Sequence, residues 1–257
     1  MIDLNSHLLQ ATKEKQNEIT LPLEYAKKIV KEGIDGVVFS PPSTVIISNE
    51  ETINYFLKSI DDIRKKLKDQ NVKLDIFANQ VVEYSDDLLK RILDKKIIGV
   101  NNNLSYILIE FQNDSLPENS THVFFEMVQS GITPILVHPE RNKEIAKTPQ
   151  ILAEFIDIGV IHQMDANSFL GKFGSGVKKF ATDLLDNGFI HLVASESEIE
   201  QKVVINLKNF YKKAYKRYDK ENVKALEENS NNILNGKPIE IFAYNLISAK
   251  KVKRYKI

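Results

Sequence analysis

Cysteine is absent from the 257 residues. That excludes disulfides, thiolate metal sites and chemistry run by a cysteine nucleophile, and it suits a reducing compartment. A surplus of one charge is missing too. Lys plus Arg and Asp plus Glu both number 35, so no global field draws in nucleic acid or an anionic membrane, and non-specific nucleic-acid binding is set aside. Nor is there an uninterrupted apolar run of roughly 18 residues, the length that a membrane-crossing helix needs. The start, Met1-Ile2-Asp3-Leu4-Asn5, lacks the basic region and apolar run of a secretory leader. The expectation is a cytoplasmic protein without a transmembrane segment. No Pro/Gly/Ser-rich linker or internal repeat interrupts the chain, which reads as one domain over residues 1–237 and a basic tail over 238–257. In that tail Lys250-Lys251-Val252-Lys253-Arg254-Tyr255-Lys256 is read first as a solvated terminus, second as a contact for an acidic partner or membrane surface.

What is present is alternation. Short apolar runs, Ile34 to Phe39, Leu74 to Phe77, Tyr106 to Phe111, Ile132 to Val137, Val160 to Met164 and Ile190 to Ala194, have the composition of buried parallel strands, and Met1 to Asn5 makes a seventh. Between them lie amphipathic patterns: Leu21 to Lys31, Glu50 to Lys68, Asp86 to Asp94, Glu118 to Ser130, Pro149 to Asp157, Ser175 to Asn187 and Gln201 to Arg217. A last helix is expected over Asn229 to Asn235. Gly33, Gly131, Gly159 and Gly188 stand just past helices, where a left-handed residue is expected. About seven β-α units point to a parallel barrel or a doubly wound sheet, and a barrel gathers its functional residues at the C-terminal strand ends.

Polar groups recur at those ends. They are Asn5-Ser6-His7, Ser40-Pro41-Pro42-Ser43, Asn79-Gln80-Val81, Glu110, His138-Pro139-Glu140-Arg141-Asn142, Asp165-Ala166-Asn167 and Ser195-Glu196-Ser197-Glu198. The pentapeptide from His138 packs an imidazole, a carboxylate and a guanidinium into four residues, enough for a metal ligand, an acceptor and a phosphate fork. On spacing alone, a structural turn in which Pro139 starts a helix and Glu140 and Arg141 are solvated is the reading to beat. Two histidines with several carboxylates suit Mn²⁺, Fe²⁺ or Zn²⁺, which would polarise a phosphoryl oxygen and acidify bound water. His122, His162 and His191 read as surface or core, and Lys65-Lys66 and Lys212-Lys213 as solvated faces. Glu196 and Glu198 have the alternative of a solvated helix start.

The chain resembles the manganese-dependent protein tyrosine phosphatases of bacterial capsule and exopolysaccharide operons, in the polymerase-and-histidinol-phosphatase (PHP) superfamily. The residues that carry the resemblance are Met1-Ile2-Asp3, Tyr106 to Phe111, His138 to Asn142, Ala166-Asn167-Ser168 with Gly171-Lys172-Phe173-Gly174, His191 to Ser195, and Glu228-Asn229 with Leu234-Asn235-Gly236. The resemblance implies a distorted (β/α)7 barrel with up to three metal ions at its C-terminal mouth, hydrolysing phosphotyrosine on a partner tyrosine kinase. It also allows self-association. Carried over one position at a time, His7, Glu110 and His138 match as metal ligands and Arg141 as phosphate clamp. Glu14, Glu196 and Glu198 stand as altered oxygen donors, with Asn5 in place of a histidine; Glu14 and Glu196 are also the candidates for proton transfer. Pro42 and Val81 stand where the family has ligands.

Loss of several ligands weakens every ion they share. The expectation is therefore Mn²⁺ at reduced occupancy, one or two ions at most. Three functions stay open: a phosphotyrosine phosphatase with weakened catalysis, a pseudophosphatase that binds a kinase tail or phosphorylated partner, and an enzyme for another phosphoester with one metal.

Overall fold

The apolar runs form strands and the amphipathic segments form helices, in alternation. The structure is a computed structural model and describes residues 1–12, 18–42, 44–198 and 205–248, with Tyr255 and Ile257. Glu14, Ser43, the first residues of the helix expected from Gln201, and all of the basic cluster except Tyr255 lie outside the described residues.

The chain opens with β1 (Ile2–His7) and the antiparallel pair β2 (Gln10–Thr12) and β3 (Glu18–Thr20). It continues through α1 (Leu23–Lys31), β4 (Gly36–Phe39), α2 (Glu50–Asp69), β5 (Asp75–Ala78), β6 (Val81–Glu83), α3 (Leu88–Leu93) and β7 (Tyr106–Glu110). Then come α4 (Ser120–Gln129), β8 (Thr133–Val137), α5 (Lys143–Lys147), α6 (Gln150–Asp157), β9 (Ile161–Asp165), α7 (Ala166–Leu170) and α8 (Ser175–Asp186). The last elements are β10 (Leu192–Ala194), β11 (Ser197–Glu198), α9 (Leu207–Arg217) and α10 (Lys220–Leu234). Among the described residues no helix is long and apolar enough to cross a membrane.

Two parallel sheets carry the fold, one ordered β11-β1-β4-β5 and the other β10-β9-β8-β7-β6. They join at two seams. At one, β5 bends into β6 through Asn79 and Gln80, whose N–H groups donate to the carbonyls of Phe39 and Ile98 (3.0 and 3.1 Å). At the other, β10 bends into β11 through Ser195 and Glu196, and the Glu196 N–H donates to the Asn5 carbonyl (3.1 Å). With β5–β6 and β10–β11 taken as bent single strands, the ring holds seven, the distorted (β/α)7 barrel that the resemblance implies.

Side-chain alternation fills both sides of the ring. Val38 points inward, to an interior cluster that also takes Leu4, Leu108, Ile135, Ile161 and Leu192 from five other strands. Its neighbours Val37 and Phe39 point outward, to the larger cluster under the helices. Burying each such side chain is worth about 1.5–3 kcal/mol. The floor is closed by Ile233 and Leu234 at the end of α10 and by Tyr106, whose hydroxyl donates to the Lys237 carbonyl (2.7 Å).

The helices follow local signals. α2 starts at a capping box in which Asn49 Oδ1 accepts from the Thr52 N–H (2.9 Å) and Thr52 Oγ1 accepts from the Asn49 N–H (3.2 Å). Phe56, Ile60, Ile63 and Leu67 then recur on its buried face. Gly33, Gly131, Gly159 and Gly188 all have positive φ after helices, as expected. Gly188 has a second reason to be glycine: a Cβ there would stand 2.3 Å from the Ala243 carbonyl oxygen.

α10 begins nine residues earlier than the sequence suggests, at Lys220 rather than Asn229, because Asp219 caps it by accepting from the Glu221 N–H (2.9 Å). Residues 238–248 form no regular element but pack as a strap. The buried Asn229 amide donates to the Glu240 and His191 carbonyls (2.9 and 2.8 Å) and accepts from the Glu240 N–H (2.9 Å), while the Tyr244 ring meets Phe189 and Ile247 is buried.

Candidate functional site

At the C-terminal ends of the strands, polar side chains replace the apolar interior. β8 stops because Pro139 fixes its own φ and offers no N–H, so the chain leaves the strand in a tight turn. His138 takes the left-handed conformation there, φ 43° and ψ 52°, and its N–H donates to the Gln163 carbonyl (2.7 Å). Glu196, at the bend between β10 and β11, is also left-handed, at φ 44°. Such backbone costs a non-glycine residue on the order of 1–2 kcal/mol. These two strained residues face each other, with His138 Nε2 3.7 Å from Glu196 Oε2 and 3.2 Å from Glu110 Oε1 at the end of β7.

The pentapeptide divides its labour. Asn142 is structural: its Oδ1 caps α5 by accepting from the Glu144 and Ile145 N–H groups (both 2.9 Å), and its amide donates to the Gln112 and Ser115 carbonyls (2.9 and 2.7 Å). That ties the turn to the loop leaving β7. Glu140 is fully buried and accepts from the Asp165 N–H (3.0 Å); burial holds its carboxyl above the usual range. His138 and Arg141 are the members that reach the mouth. Arg141 lies 3.5 Å from Glu196 Oε2 and 3.7 Å from Asp165 Oδ2, with its guanidinium 4.8 Å above the Phe173 ring. Both ion contacts are longer than a good charge-assisted bond of about 2.7–2.9 Å. The aromatic face therefore does much of the positioning.

Glu196 is held from below. Its Oε1 accepts from the Gln163 amide (3.0 Å) and the Asn5 amide (3.3 Å). The expected alternative of a solvated helix start is thus overturned for Glu196, which is 7% exposed, and for Glu198, which lies in β11 rather than in a helix. His7 ends β1 and pairs in register with Glu198 across β11. Beneath them Asp3 accepts from the Ser195 N–H (2.9 Å) and hydroxyl, and burial pushes its carboxyl up to about 6.

Charge is distributed unevenly. Burial works against a proton on His138, but Glu196 and Glu110 outweigh it and raise the imidazole to about 9. The hydrogen bond from His138 holds Glu110 below its ordinary value, and the charges of Arg141 and His7 add to that. Asp165 is raised well above the usual carboxylate range by burial, then by Glu196 and Glu140 beside it. Without a bound metal, His138 is therefore a cation at neutral pH.

The structure brings Glu110, His138, Arg141 and Glu196 into direct contact, and sets His7 and Glu198 side by side at the same rim. Glu14 lies outside the described residues. Sequence reasoning placed Asp165 at a strand end without a specific role and passed over Gln163; the signal was three polar residues, His162, Gln163 and Asp165, in one short strand. Asn5, which stands in place of a histidine, donates its amide to Glu196. Among the described residues no three His, Asp or Glu side chains are placed to hold a metal ion. Among the described residues the donors do not fit a multi-ion cluster: Asn5, Pro42 and Val81 bring no imidazole or carboxylate, and the Glu196 and Glu110 carboxylates are engaged by Arg141 and His138. His122 is exposed, and His162 and His191 are core residues, as expected.

With this geometry in hand, similarity to known proteins becomes informative. A family model described as capsular polysaccharide synthesis, CpsB/CapC, matches residues 1–235. The putative tyrosine-protein phosphatase CapC of Staphylococcus aureus is 27% identical over 197 residues, 77% of this chain and 76% of that protein. The tyrosine-protein phosphatase YwqE of Bacillus subtilis is 27% identical over 198 residues, 77% of each. CpsB of Streptococcus pneumoniae, also a tyrosine-protein phosphatase, is 26% identical over 210 residues, 76% of this chain and 82% of that protein. A solved chain from the crystal structures of YwqE and CpsB, described as unique metal-dependent tyrosine phosphatases, superposes with a TM-score of 0.84 at 23% identity, covering 96% of this chain and 100% of that one. At that identity the superposition speaks for the fold.

Proposed function

Because this chain belongs to the CpsB/CapC family of capsular polysaccharide synthesis, we propose that it recognises phosphotyrosine on a protein partner and hydrolyses it weakly. The partner is a tyrosine-phosphorylated protein, in the first instance a capsule-synthesis tyrosine kinase. One observation carries the reading: Arg141 stands at the mouth on the face of Phe173, and its ion contacts among the described residues, to Glu196 and Asp165, are both long. A loosely paired guanidinium can turn its fork to a phosphate without breaking a tight ion pair. His138, already positive, adds a second donor beside it.

The same arrangement supports the reading of weak chemistry. A general base works best with a pKa near the working pH. Here His138 is protonated near neutrality and Glu110 is held low, so the first is a cation and the second a feeble base. No step is assigned to a metal cluster, since the donors among the described residues do not fit one. A binding-only role is the second reading, favoured by that same failure of ligands to converge among the described residues.

The test is hydrolysis of a phosphotyrosine peptide across a Mn²⁺ titration, alongside affinity for a non-hydrolysable phosphotyrosine analogue. Slow turnover that is lost in His138→Ala, with affinity cut about tenfold in Arg141→Ala, is the expected result. Fast turnover climbing with Mn²⁺ overturns the weakened catalysis. Equal background rates with intact analogue binding leave the binding-only role. Absence of analogue binding removes phosphotyrosine recognition altogether.

A further inference from the structure

α9 has no acidic residue and carries Lys208, Lys212, Lys213, Lys216 and Arg217. Leu207, Phe210, Tyr211 and Ala214 form its buried side. Asn209, Lys212, Lys213 and Lys216 follow the i, i+3, i+4, i+7 spacing of a single face. Opposite that face stands Lys172, and between them runs a groove of about 420 Å³ whose lining includes Asn206 and Asn209. The four lysines are exposed. The ion pairs of this part of the surface among the described residues are Lys179–Asp183, Arg217–Asp186 and Lys224–Glu228, and none takes in a groove lysine. Like charges three and four residues apart work against a helix, so the stripe is a cost unless an anion covers it.

Hydrogen bonds tie the groove wall to the candidate site. Asn206 donates to Asn167 Oδ1 (2.6 Å), and Asn167 in turn donates to the carbonyl of Ser195, the residue before Glu196. The Lys172 N–H donates to the Asn167 carbonyl (3.0 Å), and the next residue is Phe173, on which Arg141 rests. The groove is concave and basic, and one of its lysines is the neighbour in sequence of Phe173, so it suits an extended polypeptide better than a flat bilayer.

We propose that this groove docks an acidic segment flanking the phosphotyrosine of the partner. The proposal rests on phosphotyrosine recognition at Arg141 and adds the place where the flanking residues lie. Carboxylates of the partner meet Lys172, Lys212, Lys213 and Lys216 while the phosphate enters the mouth, and the attraction is screened by salt.

The probes are fluorescent peptides bearing a non-hydrolysable phosphotyrosine analogue with glutamate flanks, its glutamine-flanked counterpart, and the glutamate peptide with plain tyrosine. Vesicles of equal parts phosphatidylcholine and phosphatidylserine make a fourth. Anisotropy is read for the full chain, for Lys212→Gln/Lys213→Gln/Lys216→Gln, and for Lys27→Gln/Lys31→Gln/Lys58→Gln as an equal charge loss elsewhere. The full chain should prefer glutamate over glutamine flanks about tenfold at low salt. That preference should collapse in the groove variant and persist in the control. An unchanged preference in the groove variant overturns the proposal, as does lysine-dependent binding of the vesicles with no flank preference among the peptides. If the plain-tyrosine glutamate peptide binds through the groove lysines as tightly as the analogue, docking stands and phosphotyrosine recognition falls.

Discussion

His138 and the pair His162–His191 are buried to a similar degree, 5% exposed against 0% for each of the pair, yet they are driven in opposite directions. His138, between Glu110 and Glu196, is raised to about 9. Burial holds His162 down to about 3 and His191 down to about 4. On the helix-facing side of β9 and β10, the His162 Nδ1 lies 2.9 Å from the Phe189 carbonyl, His191 Nδ1 accepts from the His162 N–H (3.0 Å), and the Phe155 ring packs edge-on to His162. No carboxylate is among these partners. Burial alone therefore does not decide whether an imidazole is a charge or a piece of core; the carboxylates within reach decide it.

The largest break in that comparison is acid. An imidazole with its folded value below the ordinary 6.5 leaves the unfolded chain binding more protons as pH falls. Stability from the pair is complete above about 6.5 and is lost as pH drops towards about 4, by several kcal/mol. Asp3, raised to about 6, opposes part of this slope. Ring resonances followed by NMR are the cleaner readout: His162 and His191 should stay neutral down to about pH 4 while His138 in metal-free protein titrates near 9. Protonation of the pair near pH 6 would erase the contrast.

A smaller effect sharpens it. Glu196→Gln removes the charge that faces His138 and Arg141, and should cost about 3 kcal/mol in urea denaturation, since the buried His138 cation loses one of its two counter-charges. The same variant should lower the His138 titration point. If that point stays near 9, Glu110 alone sets it and the account of Glu196 is wrong.

The mildest test acts on the other side. Asn229 ties the strap to the His191 carbonyl, so Asn229→Ala should cost about 2 kcal/mol through unsatisfied buried groups. Hydrogen exchange should quicken across residues 239–247 before it does in the barrel strands. Uniform exchange along the chain would show that the strap is not a separate cooperative unit.

The barrel was legible because its signal is repeated: seven apolar runs and four helix-ending glycines each point the same way. The elements that sequence missed are short ones whose reason is tertiary. β6 and β11 exist because β5 and β10 bend at the seams, and the bends are fixed by backbone bonds to Ile98 and Asn5, far away in sequence. In the site, His138, Arg141, Glu110 and Glu196 were legible as polar groups at strand ends. The left-handed backbone of Glu196 and the support from Gln163 were not, since neither residue type announces a positive φ or a buried amide donor. The separate duties of Glu140 and Asn142 within one pentapeptide were also invisible, because they depend on which side of the turn each residue falls.

One consequence follows from the seam at which Glu196 meets Asn5. β1 leaves the ribosome well before β11, and its second edge is covered only when β11, at Ser197–Glu198, arrives in register beside Ser6 and His7. At typical elongation rates the nascent chain carries that open edge for roughly 10–40 s. During synthesis the opening strand is thus the segment with most to gain from a chaperone, and the rim that later carries the chemistry is among the last parts of the ring to exist.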